Sequence, residues 1–164
     1  MEMIRHGDRQ GLEDLVAQEP QAIRYLQGRL WDTEYRVRQN AAEALGVAAA
    51  AHPEIGLELL RRAMWALNDE SAMNGAYTLP VIGEIGFRNP ELVAPFIEPM
   101  TSYIWDEGLR PGILQALCRI AEVAPELVAE IHDRLQTIEK TNDSGEQACL
   151  DRLLAVNREA ANGA

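Results

Sequence analysis

Apolar positions along this chain recur with helical spacing and polar positions fill the gaps between them. Val37, Ala41, Ala44, Leu45 and Ala48 lie at i, i+4, i+7, i+8 and i+11, the stripe of a helix with one buried face. Leu109, Ile113, Ala116, Leu117 and Ile120 repeat the stripe further on. Between them run shorter stripes: Ile23/Leu26/Leu30, Leu59/Met64, Val93/Phe96/Met100 and Val128/Ile131/Leu135. The pattern predicts helices throughout.

Two series of markers put these helices into a repeat. Asp32, Asp69, Asp106 and Asp143 are each 37 residues apart. Pro20-Gln21, Pro53-Glu54, Pro90-Glu91 and Pro125-Glu126 follow at spacings of 33, 37 and 35. Proline in a first helical turn loses no hydrogen bond, and an acid beside it meets the positive end of the helix dipole. Each unit therefore reads as an A helix from Asp to Pro and a B helix from Pro to Asp. Gly46, Gly83 and Cys118 stand 7 residues before three of the prolines, each after a large apolar residue. The aspartates read as helix caps, and the recurring Trp31, Trp65 and Trp105 as packing between repeats before any ligand ladder.

No single helix pair can bury such stripes, so neighbours must stack. The expected fold is all-α, a right-handed α-α superhelix of about four helix pairs with terminal caps, forming one domain over 1–164. The repeats fall at approximately 10–31, 32–68, 69–105 and 106–142, followed by a capping helix at 143–160. The polar "GLEDLVAQE" and the Ala-rich "REAANGA" read as the two end caps.

The stretch "DTEYRVRQNAAEALG" (32–46) resembles the first-helix signature of HEAT repeats, in particular the short kind named after phycobilisome lyases. "GLRPGILQALCRI" (108–120) is a degenerate echo, and the period extends the resemblance to the whole chain. The resemblance implies a solenoid used as a scaffold or protein-binding surface. It also opens enzyme readings. HEAT-like DNA glycosylases imply a basic groove, against the acidic charge described below. HEAT-type di-iron hydroxylases imply paired His-Glu motifs, and none of His6, His52 and His132 precedes a glutamate. Bilin lyases share the repeat type, which leaves a lyase-like or maturation factor acting on a cofactor-bearing protein as the alternative function.

One repeat breaks the rules. With Gly46, Gly83 and Cys118 in register, Val37-Arg38 and Leu109-Arg110 correspond to Asn74-Gly75. The core-facing Ala41 and Ile113 correspond to Thr78, and Glu43 and Gln115, expected to be exposed, to Pro80. Four of the 8 prolines lie in residues 80–99. Two structures fit. In one, residues 70–78 form a loop, Thr78 caps, and a short helix starts with Pro80 near its second position. In the other, a kinked helix opens a polar notch lined by Asn68, Asp69, Glu70, Ser71, Asn74 and Tyr77, with Trp65 and Tyr103 nearby. The candidate partner-binding residues are Trp65, Asn68, Asp69, Glu70, Asn74, Tyr77 and Tyr103.

Composition changes this picture little. With 47% apolar and 5% aromatic residues the chain is Ala/Leu-rich, as helical proteins are. A net charge of −11 argues against nucleic-acid binding, which needs clustered Lys/Arg. Residues 63–164 carry net −9 of that charge, so a basic partner for this half is open. Cys118 and Cys149 form no metal or redox motif and read as buried free thiols. His52 reads as an exposed loop imidazole and His132 as a helix-surface residue. No catalytic, cofactor or metal motif is seen. "MEMIRHGDRQ" has no apolar signal core and no run is long enough to span a membrane. The expectation is a cytoplasmic, non-catalytic scaffold binding a protein or peptide through the concave B-helix face, with neither nucleic acid nor membrane as partner and a homo-oligomer open.

Overall fold

The computed structural model describes residues 8, 10–11, 14–15, 21–68, 73–139 and 143–162. The expected cap in "GLEDLVAQE" lies largely outside them, Asp69, Glu70 and Ser71 lie wholly outside, and of "REAANGA" residues 158–162 are described, as the end of the last helix. Among the described residues the structure is all-helical, without strands. The helices are α1 (Gln21–Arg29), α2 (Tyr35–Ala51), α3 (Pro53–Leu67), α4 (Met73–Arg88), α5 (Pro90–Thr101), α6 (Arg110–Ala121), α7 (Pro125–Ala129), α8 (His132–Gln136) and α9 (Ser144–Asn162).

Both marker series sit where helices begin. Pro53, Pro90 and Pro125 are each the first residue of a helix, where proline loses no hydrogen bond. The aspartates turn the chain into the A helices. Asp32 Oδ1 accepts from the Glu34 amide at 3.0 Å, Asp106 Oδ1 from Gly108 at 2.8 Å, and Asp143 Oδ1 from Glu146 at 2.8 Å. Only the Asp143 bond reaches a first-turn amide, as a cap does; Asp32 and Asp106 order the turn just before their helices, whose first turns receive no side-chain cap.

The A helices pack in series, α2 on α4, α4 on α6 and α6 on α9. The small residues of the third marker lie at these contacts. A Cβ on Gly46 would come within 2.8 Å of Glu84 Cβ and 2.9 Å of its carbonyl, and one on Gly83 within 3.0 Å of Ala116 Cα. Glycine there lets two backbones approach more closely than any side chain would allow. The apolar residues just before, Leu45, Ile82 and Leu117, are fully buried, and each stabilises the fold by about 1.5–3 kcal/mol relative to exposure.

The B segments are α1, α3, α5 and the α7–α8 pair. Here α3 packs on α5 and α5 on α7. The fourth B segment, expected as one helix, is two short ones. Ile131 sits in a turn between them with its amide bonded to the Val128 carbonyl at 3.2 Å. That tighter turn keeps Val128, Ile131 and Leu135 all buried.

The irregular repeat resolves in favour of helix. α4 runs unbroken from Met73 to Arg88 with Pro80 inside it, so the loop with a Thr78 cap does not form. Thr78 is buried within the helix and its Oγ1 donates to the Gly75 carbonyl at 3.0 Å. Pro80 has no amide to offer the Ala76 carbonyl one turn earlier. Glu43, expected on the open surface, is half-buried and ion-paired to Arg88 at 3.4 Å.

Candidate functional site

The first turn of α4 explains the substitutions at 74 and 75. Val37 and Leu109 are buried at the start of their helices, whereas Asn74 is exposed and Gly75 is buried beside it. A Cβ at Gly75 would lie 2.8 Å from Leu109 Cδ2, 3.0 Å from Leu67 Cδ2 and 3.2 Å from Leu67 Cα. The helix start is thus pressed against the end of α3 and the approach to α6. Asn74 is turned outward, toward α1.

There it meets Trp31. The indole Nε1 donates to Asn74 Oδ1 at 3.2 Å. One turn along, Tyr77 stands edge-on to the same indole with ring centroids 6.4 Å apart. Arg38 of α2 places its guanidinium 5.5 Å from the Tyr77 ring and 5.5 Å from the Tyr35 ring, a cation–π arrangement. Arg38 is itself held by the Asp32 carbonyl at 2.8 Å and the Thr33 carbonyl at 3.2 Å. These contacts fix Trp31 although it is 46% exposed.

Beside Trp31 a cleft of about 340 Å³ separates α1 from α3. Leu30 and Trp31 form one wall, Leu59, Ala63 and Trp65 the other, and Thr78 and Val81 of α4 the floor. Trp65 at its rim is 83% exposed. The cleft thus combines apolar walls with large exposed aromatic surface at its edge. Trp31 does pack against another repeat, through Asn74 and Tyr77, whereas Trp65 stands exposed. Trp105, 58% exposed, lies away from this cleft.

The expected site residues therefore divide. Trp65 and Asn74 line the cleft, and Tyr77 buttresses it through Trp31. Asn68 and Tyr103 form a separate pair, the tyrosine hydroxyl donating to Asn68 Oδ1 at 3.4 Å. Asp69 and Glu70 lie outside the described residues. Sequence reasoning missed Leu30, Leu59, Ala63 and Val81. Helical spacing assigns Leu30 and Leu59 to the core, where all four are indeed buried, and the separation of α1 from α3 leaves no trace in local pattern.

A second polar cluster lies between α4 and α6. Glu84 accepts from Arg119 Nε at 2.9 Å and also pairs with Arg88. Arg119 donates to Glu122 at 2.6 Å, and its guanidinium carbon lies 3.4 Å from the Phe87 ring centroid. Burial opposes the charge on Arg119, but the Glu84 and Glu122 carboxylates outweigh it and raise its pKa. The cluster ties α2, α4 and α6 together.

Among the described residues, no group of three or more His, Cys, Asp or Glu is placed to hold a metal ion. His52 Nδ1 lies 3.6 Å from Glu54 and His132 Nε2 lies 2.7 Å from Gln136 Nε2. Neither is near the cleft. No helix among the described residues is long and apolar enough to cross a membrane. No protein-family model matches the chain, nor does any curated protein or solved structure.

Proposed function

We propose that the chain is a short HEAT-like α-α superhelix that serves as a non-catalytic scaffold, binding a protein or peptide in the cleft between α1 and α3. One observation carries the reading: Trp31 and Trp65 stand exposed on either side of an apolar cleft of about 340 Å³. Exposing two indoles forgoes the stabilisation that burial gives, and a partner's apolar side chains inserted between them recover it. The series packing of α2, α4, α6 and α9, with close approaches at Gly46 and Gly83, supports the superhelical arrangement.

The occupant is a segment with one or two large apolar anchors, the amount of material a cleft of this size holds. Gln27 at its margin offers an amide group for the partner's backbone. The experiment is affinity capture with the wild-type chain, Trp31→Ala/Trp65→Ala, and Trp105→Ala as the control for exposed tryptophan. A partner retained by the wild type and the control but lost by the double variant supports the reading. A partner held equally by all three sinks it.

A further inference from the structure

Cys118 and Cys149 are 31 residues apart, on helices that the fold brings together. Cys118 occupies the place in α6 that Gly46 has in α2 and Gly83 has in α4. At the earlier contacts the glycine lies against the next helix's backbone. At the last one, between α6 and α9, the Cys118 thiol reaches the Cys149 carbonyl, Sγ to O 3.5 Å. Both cysteines are free.

The pair is not sealed from solvent. Cys118 and Cys149 line a cleft of about 250 Å³ whose other walls include Pro80, Glu84, Arg119 and Glu122. Cys118 is buried and Cys149 half-buried, so a small molecule entering the cleft meets Cys149 first. Burial, then the neighbouring Cys149, pushes the Cys118 thiol up to about 12, against a small opposing pull from Arg152. That thiol hardly ionises by itself, and the thiolate is the reactive form. The two sulfurs thus have unequal roles, one accessible and one held back beside it.

We propose that Cys118 and Cys149 form a reversible intramolecular dithiol–disulfide pair, oxidised by a small hydroperoxide at Cys149 and resolved by Cys118. In the first step the Cys149 sulfur attacks the terminal peroxide oxygen and the O–O bond breaks. The leaving oxygen takes the thiol proton, giving a sulfenic acid and water or an alcohol. In the second step Cys118 sulfur attacks Cys149 sulfur and the S–O bond breaks. The hydroxyl leaves with the Cys118 proton as water. Two thiols are oxidised by two electrons in all and one hydroperoxide is reduced. A dithiol reductant reverses the change by exchange. The product staples α9 to α6 and closes the loop between them, which restricts the unfolded chain.

The test treats the full chain with hydrogen peroxide near stoichiometry and follows free thiols, intact mass and peptide maps. The expected result is paired loss of both thiols, a mass lower by two hydrogens, and one peptide joining residues 118 and 149 within a monomer. The linked form melts higher, by roughly 3–10 °C. In Cys118→Ala the sulfenic acid at Cys149 persists and is trapped by dimedone. In Cys149→Ser, Cys118 stays unoxidised under the same treatment. Oxygen addition to wild-type protein without a link, a link between two chains, or faster oxidation at Cys118 than at Cys149 overturns the proposal.

Discussion

Trp31 and Asn74, 43 residues apart, are joined by a 3.2 Å hydrogen bond from the indole to the amide oxygen. The contact exists because Gly75 lets the first turn of α4 settle against Leu67 and Leu109, which turns Asn74 outward. Both residues are exposed, so the bond adds little to stability and its effect is on the position of the indole. Asn74→Ala is expected to change unfolding free energy by less than about 1 kcal/mol, yet to weaken partner binding by roughly tenfold. Chemical denaturation and calorimetric titration with the captured partner check the two halves. A large stability loss with unchanged affinity would make the contact structural.

Gly75→Ala tests the cause of that geometry. The added Cβ meets Leu109 Cδ2 at 2.8 Å and Leu67 Cδ2 at 3.0 Å. Both are side-chain ends and can yield, but Leu67 Cα at 3.2 Å belongs to backbone. Alanine's better helix propensity contributes about 1 kcal/mol in the other direction. The net expectation is a loss of about 1–2 kcal/mol, read from the denaturation midpoint. A stabilised variant would show that α4 can move away from α3 without cost.

Helix starts were legible in the sequence because their chemistry is local. Asp32, Asp106 and Asp143 bond amides two or three residues on, and the prolines occupy first turns, so each signal lies within one turn of its effect. The stripe from Val37 to Ala48 was legible for the same reason. Gly46 and Gly83 were visible as markers, but their role is contact with Glu84 and Ala116, which spacing within one helix cannot express. The departure at positions 74, 75, 78 and 80 located Asn74 and Tyr77. It gave no sign of the cleft's other walls, because Leu30 and Leu59 belong to regular repeats and become lining only where α1 and α3 part.

Pro80 lies inside α4 and leaves the Ala76 carbonyl without its amide donor. Pro80→Ala restores the donor, and the gain is reduced because proline also stiffens the unfolded chain. The expected outcome is a stability increase of about 1–2 kcal/mol. If the geometry of α4 that sets the cleft floor depends on this proline, partner affinity falls while stability rises. Melting and titration on the same preparation detect this. A variant less stable than wild type would mean that the surroundings of Pro80 already compensate for the missing bond.

Glu84 gathers Arg88 and Arg119 from two helices and sits where Gly46 touches α4. Glu84→Gln keeps the shape and removes the charge, leaving two partly buried guanidiniums without their shared counter-ion. A loss of about 1–3 kcal/mol is expected, more than for an isolated surface pair because the carboxylate bridges two cations. High salt narrows the difference between the two proteins. Urea denaturation at two ionic strengths measures it, and equal stability at low salt would show that the cluster contributes no net energy.

Cys118 makes the alkaline limb of stability predictable. Burial and the adjacent Cys149 raise its thiol from 9.0 to about 12. Below pH 9 the thiol is protonated in both folded and unfolded chains and the shift contributes nothing to the pH dependence. Between those two values the unfolded chain releases the proton while the folded one keeps it. Unfolding then releases a proton, so stability falls as pH rises, by at most about 1.4 kcal/mol per pH unit from this group. Cys118→Ala loses some stability at every pH through the smaller side chain, but its decline above pH 9 is shallower than that of wild type. Denaturation curves under reducing conditions at several pH values from neutral to alkaline give both slopes. Parallel declines in the two proteins would show that Cys118 ionises as readily in the fold as outside it.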